Sequence, residues 1–193
     1  MSKLQARNEM VINAPISKIW AVITDINVLH KINPGVIKAV IIALSALVAI
    51  ILFSCKKKKL NENLYEEAKA SGLVLYQNKD SILSPAGSSP HGPFKLKFNS
   101  TAASQFGSDG KFPVGGAFTN GSLIVKEVYS GGQLSLYAVM KKDDSKFSAD
   151  GWLWAEYEPD GKTTYSVGEK GKSCTSCHAT NPNRDLIKSF DLY

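Results

Sequence analysis

The chain has 193 residues, 44% hydrophobic and 21% charged, which suits one ordinary folded domain with extras. The formal net charge of +6 belongs to the first 59 residues, which hold nine Lys/Arg against two acids; the rest of the chain is close to neutral. No basic face is left for a nucleic acid, and three cysteines, Cys55, Cys174 and Cys177, do not make a disulfide framework.

In chain order, residues 10–36, "MVINAPISKIWAVITDINVLHKINPGV", come first. They resemble the opening of a START-like (Bet v 1-like) lipid-binding domain, a strand ending in "NAP" followed by a helix with Trp20. One strand and one helix cannot close a core. Residues 1–36 are therefore not expected to act as a domain, and Trp20 and His30 read as remnants of a packing pattern. A gene fusion, a start near Val36 and an extended leader each account for the segment.

Residues 37–59 read as a leader. The run 39–53, "AVIIALSALVAIILF", is short for a bilayer span, which takes about 20 residues, and suits the apolar region of a signal peptide behind Lys38. It ends in "LFSC", which resembles a bacterial lipobox with a bulky Phe53. That resemblance implies cleavage before Cys55 and lipidation of its thiol. The "KKKK" run at 56–59 would then lie against anionic headgroups. An uncleaved short anchor is the alternative, and both readings put the remaining chain outside the cytoplasm, in a bacterial cell envelope.

Residues 60–193 predict an α+β domain, mainly β: an antiparallel sheet of about five strands with a few short helices. "NENLYEEAKASG" (61–72) reads as a helix, with Asn63 and Glu66 as a capping box and Gly72 as the stop. "DSILSPAGSSPHGP" (80–93) is a loop. Strands follow at 94–98, 122–129, 134–140, 151–157 and 163–167, with turns at "SGG" and "PDGK". The short connections make the sheet antiparallel.

The motif that carries chemistry is "CTSCH". In a helical turn Cys174, Cys177 and His178 fall at i, i+3 and i+4, on one face. Two thiols can then add to the two vinyl groups of one haem edge and leave the imidazole beneath the iron. A thioredoxin-like dithiol would need a βαβ context, and a zinc site needs a fourth ligand, for which His91 is the one further histidine after residue 60. Attachment of haem c takes place outside the cytoplasm, which agrees with the leader. One covalent haem c per chain is the expected cofactor, with His178 as axial iron ligand.

With "GSLIVKEVY" (121–129), "DGWLWAEYEPDG" (150–161) and "CTSCHATNPNRDLIKSF" (174–190), the chain from about 65 to 193 resembles the cytochrome P-460 family and the related cytochromes c'-beta. The resemblance implies a mainly antiparallel-sheet haem protein with a C-terminal CxxCH. Lys126 stands where hydroxylamine-oxidising members carry a lysine linked covalently to the haem edge; read from alternation alone, it is a lysine whose stem packs while its amine reaches solvent. The resemblance also implies a distal pocket, for which Phe94, Lys95, Lys97 and Met140 are candidates, with Lys95 or Lys97 replacing a family arginine. The family glutamate would fall shortly after the haem histidine, where this chain has Ala179 and Thr180.

The expected function is an extracytoplasmic, membrane-anchored haem c protein that binds or redox-handles a small nitrogen ligand such as nitric oxide. A hydroxylamine-oxidising enzyme with a Lys126-linked haem is the second expectation. A six-coordinate electron carrier, with Met140 or His91 as sixth ligand, is the third. A redox partner protein and a homodimer are the expected macromolecular partners. Trp152, Trp154, Tyr157 and Tyr165 read as core or haem wall, and Arg184 and Asp185 as propionate partners or a helix cap.

Overall fold

A computed structural model describes residues 15–24, 34–85 and 89–190. The expectations placed on His30 and on the "NAP" strand lie outside these residues. The chain divides into two units, 1–52 and 53–193.

The first unit contains helix α1 (Ile16–Thr24) and the beginning of helix α2 (Pro34–Ala68). Trp20 is exposed. Within α2 the stretch Val40–Ala68 is long and apolar enough to cross a membrane by length and composition, its most apolar 18-residue window having a mean hydropathy of 2.2. The separate helix expected at 61–72 is corrected: it is the end of α2. Nothing between Phe53 and Ala68 breaks a helix, and lysines at 56–59 are good helix formers. Asn63 is thus mid-helix rather than a cap, and Gly72, at φ +88°, lies in the turn beyond.

The second unit is built on one antiparallel sheet of six strands, in the order β1-β2-β3-β4-β5-β6. These are β1 (Val74–Leu75), β2 (Phe94–Phe98), β3 (Leu123–Ser130), β4 (Gln133–Lys142), β5 (Trp152–Tyr157) and β6 (Thr163–Tyr165). Each strand pairs with its neighbour in sequence. The β3–β4 turn uses Gly131 and Gly132, both at positive φ, as a two-residue hairpin of matching twist requires.

Both sheet faces are covered. On one face Leu64 and Ala68 of α2, one helical turn apart, pack on Leu123, Val125, Val139, Leu153 and Tyr157. The Asn61 side chain ties that helix to the segment after β6, accepting from the Val167 N–H at 3.0 Å and donating to Ser166 Oγ at 3.0 Å. On the other face Phe94, Leu96, Phe98, Ile124, Met140, Trp152 and Trp154 form a second core, joined by Leu186, Ile187 and Phe190 from the C-terminal segment. Cover on both sides explains why β5 is buried almost continuously. The short helices α3 (Ser100–Ala103) and α4 (Thr175–His178) complete the unit.

Candidate functional site

One cross-strand row organises the second face. Leu96, Lys126, Ala138, Glu156 and Tyr165 pair in register from β2 to β6. Beside this row opens a cavity of about 480 Å³, within the size range of small-ligand sites. Its walls include Lys126, Glu156 and Tyr165 from the sheet, His91 from the loop before β2, Cys174 at the N-cap of α4, and Cys177 and His178 within it. A smaller recess of about 50 Å³ adds Met140 and Trp154.

The helical turn of α4 is closed by His178 N–H donating to the Cys174 carbonyl at 3.1 Å. Both cysteines are free; Cys174 is half-buried and Cys177 exposed. Burial pushes the Cys174 thiol up. The buried Tyr165 hydroxyl makes no hydrogen bond of good geometry among the described residues, yet stands near enough to Cys174 to oppose that push weakly.

His178 is fixed on two sides. Its ring meets Trp154 edge-on, centroids 4.9 Å apart at 84°. Its Nδ1 lies 2.6 Å from the Leu186 carbonyl oxygen, which can only accept, so Nδ1 carries the proton and Nε2 keeps its lone pair. Burial lowers its pKa. Gly171 permits this packing: at φ +60°, an added Cβ would sit 2.7 Å from the Trp154 ring.

Burial also shifts the other ionisable groups toward their neutral forms. The His91 pKa falls to about 4, first through burial and then through the Lys126 and His178 charges. Burial brings Lys126 down to about 8; its amine lies 4.0 Å from the Phe94 ring centroid and has no ion pair among the described residues. Burial raises the Glu156 carboxyl. Lys188 donates to the carbonyls of Thr180 (2.5 Å) and Pro182 (3.3 Å), which holds the segment behind the motif.

Residues 65–189 match the cytochrome P-460 family profile. The chain belongs to the cytochrome P-460 family. Comparison with curated proteins returns no match. Membership implies a haem cofactor and points to a haem protein acting on nitrogen compounds. The site's own chemistry fits that group: two free thiols and an imidazole with an available Nε2 open into one cavity of suitable size.

Against the sequence expectations, the structure of this cytochrome P-460 family member brings Lys126, Cys174, Cys177 and His178 together. Lys95 and Lys97 are corrected. Strand alternation puts them on the opposite face from Phe94 and Leu96, where Lys95 pairs with Asp80 at 2.5 Å and Lys97 with Glu127 at 2.6 Å. Phe94 lies beneath the Lys126 amine rather than on the cavity wall. Met140 is a core side chain between Ile124 and Trp154 that reaches the small recess. Cys55 is exposed on α2. Arg184 donates to the Phe112 carbonyl and Asp185 pairs with Lys142, so both are engaged in holding the chain.

Glu156 was missed. The family pattern puts a carboxylate just after His178, whereas here the sheet delivers one from β5. The signal was present in "WLWAEY": period-two alternation puts Trp152, Trp154 and Glu156 on one face.

Proposed function

We propose that the chain is a membrane-anchored, extracytoplasmic c-type haem protein that binds and redox-handles a small nitrogen ligand of the nitric oxide or hydroxylamine class. The Cys174 and Cys177 thiols would hold one haem per chain through thioether bonds to its two vinyl groups. His178 Nε2 would bind its iron. The observation that carries this reading is the His178 Nδ1–Leu186 carbonyl hydrogen bond, which frees Nε2 in a cavity that both thiols enter. When bound, the haem supplies a redox-active iron.

Around it the chain supplies groups that manage protons. His91 is neutral through the physiological range and can donate from one ring nitrogen and accept at the other. Glu156 is poised to hold a proton at higher pH than a free carboxyl. The apolar wall of Leu96, Ile124 and Trp154 keeps bulk water from the inner end of the site. Lipidation of Cys55 and the lysines that follow it would hold the domain at the envelope membrane, where a redox partner protein exchanges electrons with it.

Glu156 favours a second reading, catalytic oxidation of hydroxylamine, because it supplies the general base that the residues after His178 lack. Lys126 supports it too: an amine with a pKa of about 8 has an appreciable nucleophilic fraction for linkage to the haem edge.

The test is expression with a haem c maturation system, acid–acetone extraction and an absorption spectrum. Covalent haem should survive extraction and be lost in the Cys174→Ala/Cys177→Ala double variant; haem extracted freely from the wild type would sink the reading. A red-shifted ferrous band abolished by Lys126→Arg would favour the cross-linked enzyme. A low-spin six-coordinate spectrum abolished by His91→Ala would move the assignment to an electron carrier. Mass spectrometry should find lipid on Cys55.

A further inference from the structure

The His178 hydrogen bond depends on a short, strained piece of chain. Leu186, whose carbonyl receives the Nδ1 proton, has φ +69°, and Asp185 before it has φ +53°. Two successive non-glycine residues in the left-handed region are unfavourable and persist only where the surroundings over-determine them.

The surroundings do so here. The Asp185 carboxylate takes both oxygens to the Lys142 ammonium, at 2.9 and 2.7 Å, and one of them also accepts the Phe118 N–H at 2.7 Å. Asn183 Oδ1 accepts the Leu186 N–H at 3.1 Å, and Gly115 N–H donates to the Asn183 carbonyl at 2.9 Å. The ion pair is mostly buried. Lys142 ends β4, and its stem crosses Gly151, where a Cβ would lie 3.1 Å from the ammonium nitrogen. Its amine also lies 4.9 Å from the Trp152 ring centroid.

We infer that Lys142 and Asp185 are positioning residues for the axial ligand: their ion pair locks residues 183–186 in the strained shape that aims the Leu186 carbonyl at His178 Nδ1. Neither residue lines the cavity. They act through the backbone, from the sheet to the imidazole. A hydrogen bond at Nδ1 makes the ring a stronger donor at Nε2, so the lock would set how electron-rich a bound iron is. The inference rests on His178 being the axial ligand.

The experiment uses the full chain loaded with haem, and compares the wild type with Lys142→Met, Lys142→Arg and Asp185→Asn. Resonance Raman spectra of the ferrous proteins report the iron–histidine stretch, and redox titration reports the midpoint potential. Loss of the lock weakens the Nδ1 hydrogen bond. The stretch should therefore shift to lower frequency and the potential to a more positive value in Lys142→Met and Asp185→Asn, with Lys142→Arg restoring both toward wild type. A purely structural ion pair would lower the melting temperature and leave both readouts in place, which would overturn the inference. If Asp185→Asn does not accumulate, the Lys142 variants decide alone, since that side chain sits at a strand end. Covalent haem content, measured on the same samples, separates the two claims. A wild type without covalent haem fails the haem assignment, whereas a loaded wild type with unshifted variants fails the lock.

Discussion

Lys126 and Glu156 flank Ala138 in one cross-strand row, an amine and a carboxyl two strand spacings apart, about 10 Å of backbone. Both open into the same cavity, and burial pushes each toward its neutral form. A site that keeps opposite charges apart and desolvated stores free energy that removal of either group releases.

For Lys126 the folded pKa is about 8 against an ordinary 10.5. Below pH 8 the amine is charged in both states and its burial is unfavourable; above 10.5 it is neutral in both and the penalty is gone. Lys126→Met should therefore stabilise the haem-free chain at pH 7, by on the order of 1–3 kcal/mol. The gain should shrink as pH rises through 8 to 10.5. Urea unfolding at pH 7 and pH 10 measures both.

Glu156 has the opposite sign. Its carboxyl is protonated in both states at low pH, and the penalty builds as pH rises from the ordinary carboxyl pKa up to the raised folded one. Glu156→Gln should gain stability at pH 7 and none near pH 4. If the haem-loaded protein oxidises hydroxylamine, the same variant should lose roughly 10²-fold or more in turnover, the usual range for a lost general base, and keep its affinity for nitric oxide.

His91 titrates at about 4 when folded and near 6.5 when unfolded. The unfolded chain binds more protons between those values, so stability falls as pH drops from 6.5 toward 4. His91→Gln should flatten that part of the stability–pH curve, and an unchanged slope would refute the burial of this ring.

Gly171→Ala places a methyl group against the Trp154 ring at 2.7 Å and at φ +60°. A loss of about 1–3 kcal/mol is expected, with reduced covalent haem incorporation because Trp154 supports His178. Melting temperature and haem content should fall together.

On the opposite face, Lys97→Met leaves the buried Glu127 without its cation, although Tyr129 still donates to it at 3.1 Å. Stability should drop by about 1–3 kcal/mol, while the absorption spectrum of the haem-loaded protein stays that of the wild type. A changed spectrum would return Lys97 to the haem side.

The sheet was largely legible. β2 occupies the residues that alternation assigned, and β3, β4 and β5 differ by a residue or two at their ends. The two-residue β1 carries too little pattern to see. The long helix was split in two because its apolar and amphipathic parts read as different things, although no residue between them stops a helix. At the site, the local spacing of Cys174, Cys177 and His178 already puts these three side chains side by side, and the structure has all three on one cavity. Local signals failed where the sheet assembles distant residues. Lys95 and Lys97 are candidates only through the family resemblance, whereas the apolar Phe94, Leu96 and Phe98 that alternate with them take the cavity-side face of β2. The Asp185–Lys142 pair joins segments that no motif connects.

The sheet also fixes an order of assembly. From β3 onward the strands pair with sequence neighbours across short connections, a low contact-order arrangement that favours rapid folding. The residues that seal the second core, Leu186, Ile187 and Phe190, follow the cysteines rather than precede them. The meander can thus stand complete while the final twenty or so residues are still free. A cofactor threaded onto Cys174 and Cys177 would meet a finished wall, and the tail behind it would close like a latch.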